Sequence, residues 1–60
     1  MSRKNVLIVE DEIVVRSSLK KFLEKKNYNV YEAGSVEEAV NQDLSRFCLI
    51  ITDLKHQDHR

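Results

Sequence analysis

Two short, unbroken apolar runs constrain what this chain can fold into. The first, Val6–Val9 (VLIV), leads straight into the acids Glu10, Asp11 and Glu12. The second, Cys48–Ile51 (CLII), passes through Thr52 into Asp53. Runs this short, bounded by polar residues, suit strands covered on both faces, the usual state of a strand in a parallel sheet. Between them the apolar period changes. Val15, Leu19, Phe22 and Leu23 follow a helical i, i+4, i+7, i+8 pattern, with Arg16, Lys20, Lys21 and Glu24 mostly on the other face. Asp11 and Glu12 precede this segment and Lys25 and Lys26 end it, which suits a helix dipole, and Asn27 fits a left-handed stop. Asn29–Ala33 (NVYEA) is β-rich and predicts a second strand, after the opening Asn5–Val9.

After Gly34, Ser35 with Glu38 three residues on is a capping-box signature for a second helix. That helix would turn Val36, Ala39, Val40 and Leu44 toward a core, with Asp43 beside the stripe and Arg46 and Phe47 closing it. The order β-α-β-α-β predicts an α/β fold with a three-stranded parallel sheet and helices on its faces. Residues 1–54 form this unit, and 55–60 read as a polar tail with no apolar periodicity.

Composition narrows the function classes. With 60 residues the chain is at the small end for a single domain, and a domain of that size buries only about 60% of its unfolded surface. Ten basic and ten acidic residues cancel, so no net field favours direct nucleic-acid binding. No apolar run is long enough to span a bilayer, and the basic start MSRK is followed by a run too short for a secretory leader. The expected location is cytoplasmic. The single cysteine, Cys48, reads as core filler in a reduced compartment.

Parallel strands end at the same edge of their sheet, so Glu10, Asp11 and Asp53 are expected to converge if the first and third strands are neighbours. Open α/β sheets bind ligands at such an edge, where the strand order switches. Carboxylates held together raise each other's pKa unless a cation shares the site, and a hard, oxygen-seeking Mg2+ fits best. A metal beside an aspartate permits phosphoryl transfer, with the carboxylate attacking phosphorus. The plainer alternative is that Asp11 and Glu12 cap the first helix and Asp53 simply ends a strand.

Together, VLIVEDE, the helix that follows, EAGSVEEAV and LIITDL resemble the N-terminal half of a response-regulator receiver domain of bacterial two-component signalling. LIITDL is similar to receivers of the nitrogen-regulation type. The resemblance implies a flavodoxin-like fold with strand order 2-1-3 for the strands present. It makes Asp53 the phosphoacceptor, receiving its phosphoryl group from a sensor histidine kinase. Asp11 would be a direct Mg2+ ligand, Glu10 would hold the ion directly or through water, and the backbone carbonyl of Lys55 would complete the set. Glu12 falls outside it, as an acid of the first helical turn.

The chain also departs from the family pattern. The family fold is about twice this length. Its later strands supply a Ser or Thr and a Lys that contact the phosphoryl group, and KHQDHR lacks the usual Met-Pro turn and Gly. Mg2+ binding is therefore expected to be weak or vestigial, and phosphorylation slow or absent. A sheet shortened after its third strand exposes an edge, so strand 48–52 is expected to drive homo-oligomerisation. The alternative function is a structural or interaction fragment that is not phosphorylated. A free-standing hydrolase lacks a positioned base or electrophile. His56, Asp58 and His59 in the tail fall short of a transition-metal ligand set, and KKFLEKK reads as a solvated helix face.

Overall fold

The computed structural model describes residues 3–52. Its elements are β1 (Asn5–Val9), α1 (Ile13–Lys25), β2 (Asn29–Ala33), α2 (Val36–Val40), a 3-10 turn (Leu44–Arg46) and β3 (Leu49–Thr52). The three strands form one parallel sheet in the order β2-β1-β3. This is the α/β arrangement, with strand order 2-1-3, expected from the sequence.

The apolar run in β1 has the predicted role. Val6, Leu7, Ile8 and Val9 are at most 1% exposed, because the strand is flanked by two neighbours and covered on both faces. Alternation along β1 divides the core. Val6 and Ile8 pack with Leu23 of α1, joined by Leu19, Tyr28, Val30 and Ile51. Leu7 and Val9 pack on the opposite face with Ala33, Ala39 and Phe47, joined by Tyr31.

The end of α1 follows from Asn27, which takes the left-handed conformation at φ 73°. The Asn27 N–H donates to the Glu24 carbonyl at 3.0 Å and the Tyr28 N–H to the Leu23 carbonyl at 3.2 Å. Tyr28 also packs against the cluster of Val6, Ile8 and Leu23, so hydrogen bonds and apolar packing close the helix together. The buried face of α1 is rotated from the predicted stripe. Leu23 is buried and Leu19 and Val15 are half-buried, but Phe22 is 56% exposed, with the Lys26 ammonium over its ring at 5.5 Å. The rotation is toward Arg16 and Lys20, which both reach Glu32 on β2 and are themselves half-buried.

The second helix is shorter than predicted. It stops at Val40, and Asp43 starts a separate 3-10 turn by accepting from the Ser45 N–H and hydroxyl at 3.2 and 2.6 Å. With so few turns, Ala39 alone of the predicted stripe is buried, and Val36, Val40 and Leu44 are exposed. Phe47 fills the space instead, edge-on to Tyr31 with ring centroids 5.3 Å apart. Cys48 is exposed, contrary to its reading as core filler. It directly precedes β3, and its N–H donates to the carbonyl of Asn5 on the central strand at 2.9 Å.

Candidate functional site

The site is assembled from the register of the two strands that carry acids. Val6 pairs with Leu49 and Val9 with Thr52, so β1 and β3 end level at one edge of the sheet. Glu10 follows β1 directly and lies 1% exposed. Asp11 comes next and is exposed. Asp53 and Lys55, the other two residues of the expected ligand set, lie outside the described residues, as do His56, Asp58 and His59.

Glu10 is fixed from several sides. Its N–H donates to the Ala33 carbonyl on β2 at 3.0 Å, extending the sheet by one bond. Its Oε2 accepts from the Glu12 N–H at 2.9 Å. Its own carbonyl accepts from Nη1 of Arg16 at 2.9 Å. Its Oε1 is buried and has no hydrogen-bond partner among the described residues. A buried carboxylate oxygen without a donor is costly, and a cation is the natural group to satisfy it. The donor chemistry of Glu10 and the neighbouring Asp11 therefore fits a hard divalent ion. Among the described residues no group of three His, Cys, Asp or Glu is placed to hold a metal. Glu12 is the N-cap residue of α1, without a side-chain capping bond, rather than an acid of its first turn.

The residues around this edge hold two features that the sequence did not announce. Arg16 falls opposite the predicted apolar stripe, yet it bridges from α1 to Glu10 and Glu32. Only the pairing of α1 with β2 reveals this, since a lone Glu32 gives no sign of which bases it will meet. Gly34 faces the same guanidinium: a Cβ built there would stand 3.0 Å from Arg16 Nη1. The capping box also differs in detail. Ser35 Oγ accepts from the Glu38 N–H at 3.2 Å, but Glu38 Oε1 reaches one residue further back, to the Gly34 N–H at 2.8 Å.

No family model matches the chain, and no solved structure matches it at a significant level. Curated relatives do. The aerobic respiration control protein ArcA of Escherichia coli strain K12 is 41% identical over 56 residues, as are the proteins of the same name from Escherichia coli O6:H1 and O157:H7. The match covers 90% of this chain, which spans 23% of the length of each relative. ArcA is a response regulator, so the likeness supports a receiver domain and not the nitrogen-regulation subtype suggested by LIITDL. No helix among the described residues is long and apolar enough to cross a membrane. Over these residues the chain resembles the response-regulator receivers of two-component signalling, and its β2-β1-β3 sheet is consistent with part of a flavodoxin-like receiver fold.

Proposed function

We propose that the chain acts as a phosphoacceptor module, with Asp53 taking a phosphoryl group from the phosphohistidine of a sensor histidine kinase. Mg2+ would be held by Glu10, Asp11, Asp53 and the Lys55 backbone carbonyl. The observation that carries this reading is the buried Glu10 with its unpartnered Oε1, at the edge where β1 and β3 end level. In the transfer, a carboxylate oxygen of Asp53 bonds to phosphorus as the bond from phosphorus to the histidine nitrogen breaks. The imidazole leaves with the electron pair and takes a proton from water, and Asp53 becomes an acyl phosphate. When bound, Mg2+ would neutralise charge on the phosphoryl oxygens. Glu10 and Asp11 supply negative charge at fixed positions and do not themselves react.

Incubation with Mg2+ and acetyl phosphate, followed by intact mass measurement, tests the proposal. One added phosphoryl group is expected on the parent chain and none on Asp53→Asn. An unmodified parent, or an adduct that persists in Asp53→Asn, refutes the assignment.

A second reading, that the chain works as a self-associating interaction fragment, draws on β3. This strand has no neighbour on its outer side among the described residues, and Leu49 and Ile50 are 46% and 40% exposed. An apolar edge of this kind can pair with a second copy across a two-fold axis. An unmodified parent chain that is dimeric in solution favours this reading over the first.

A further inference from the structure

We propose that Arg16 is a positioning residue of the acid pocket, fixing the peptide that joins Glu10 to Asp11 and so the direction in which Asp11 presents its carboxylate. Its functional meaning rests on the Mg2+ reading above, whereas the contacts themselves do not.

The carbonyl of Glu10 belongs to the peptide plane between the two acids, and Arg16 Nη1 holds it at 2.9 Å. Fixing that plane sets ψ of Glu10 and φ of Asp11 together, because the peptide unit is rigid. The preceding peptide is tied to Ala33 through the Glu10 N–H, and the Glu10 carboxylate is tied to the Glu12 N–H. Arg16 thus holds the one peptide of this turn that connects the buried acid to the exposed one.

Arg16 is itself prepared for this contact. Its Nε donates to Glu32 Oε1 at 3.1 Å, while Lys20, one helical turn on, places Nζ 3.2 Å from Glu32 Oε2. The planar guanidinium can serve the carboxylate and the carbonyl at once, which a lysine ammonium on a flexible stem does poorly. Gly34 leaves room for it, since a side chain there would press on Nη1.

A guanidinium beside a cation site also repels the cation, so the two roles differ in sign. If Arg16 acts by positioning, its loss weakens metal binding; if it acts by charge, its loss tightens binding. Gly34→Ala separates them further, because it displaces the guanidinium tip while leaving its charge in place.

The test uses the full chain and two readouts. Mg2+ affinity is measured by calorimetry, and the carbonyl carbon shift of Glu10 is recorded by NMR without metal. Arg16→Ala, Arg16→Lys and Gly34→Ala are each expected to weaken Mg2+ binding about tenfold or more, as losses of a ligand-orienting contact do. Each is also expected to move the Glu10 carbonyl shift. A purely structural role would lower thermal stability without moving that shift. Should Arg16→Ala fail to fold, Arg16→Lys and Gly34→Ala carry the test. Unchanged or tighter Mg2+ binding in Arg16→Lys overturns the proposal. If the parent chain binds no Mg2+, the metal reading fails, and the carbonyl shift alone decides: an unchanged shift in Arg16→Lys overturns the positioning role.

Discussion

Glu10 is a buried carboxylate with one oxygen served by a backbone N–H and the other without a donor among the described residues. Without a cation, this arrangement works against folding, because a carboxylate removed from water needs full compensation. Glu10→Gln keeps the shape and removes the charge. In metal-free buffer it is expected to raise stability by about 1 kcal/mol, read from urea unfolding. With Mg2+ at about 100 times its dissociation constant, the parent should gain about 2.7 kcal/mol and the variant little. A variant less stable than the parent without metal would show that Glu10 is satisfied as it stands. The position of Glu10 was legible from its place after VLIV, since a buried strand must deliver its next residue to the sheet edge. The role of Arg16 was not, because its partners lie 6 and 16 residues away along the chain. Helical periodicity records which face is apolar, not which bases a strand acid will draw inward.

At the scale of elements, the three strands and the starts of both helices were legible, and the early end of the second helix was not. The bounds of β1 and β2 agree with the apolar and β-rich runs residue for residue. The stop of α1 at Asn27 was readable because few residues accept a positive φ. Asn27→Ala should cost about 1 kcal/mol, whereas Asn27→Gly should cost little, both read by chemical denaturation. Equal losses in the two variants would mean that the side chain of Asn27, not its backbone, ends the helix. The break after α2 is hidden in the sequence because Asp43 sits beside an apolar stripe, and only the folded turn shows it capping Ser45. Hydrogen bonds from the Ser45 hydroxyl and then its N–H hold the Asp43 carboxyl below its ordinary value of 3.8. A lowered folded pKa means the contribution is fully present above the ordinary value and is lost as pH falls through the lower folded one. The Ser45 amide shift should therefore titrate below pH 3.8, and Asp43→Asn should abolish that titration. A midpoint at or above 3.8 would contradict the capping role.

For the whole molecule, strand order follows from alternating strands and helices together with the family pattern, and the structure has that order. Exposure of β3 was also foreseeable in outline, since among the described residues it lies at the sheet's edge with no strand on its outer side. Exposed Leu49 and Ile50 predict association of chains that rises with concentration, visible by analytical ultracentrifugation. Ile50→Lys should weaken it by placing charge at the edge, and a parent that stays monomeric at high concentration would contradict the prediction. On the proposed reading, the level ends of β1 and β3 form one divalent-cation site. Titration with Mn2+, a paramagnetic ion of similar oxygen preference, tests it directly through selective broadening of amide signals. Glu10, Asp11 and Thr52 are expected to broaden first, and Mg2+ to reverse the effect. Broadening that is absent, or that begins at the surface acids Glu24, Glu37 and Glu38, would contradict it.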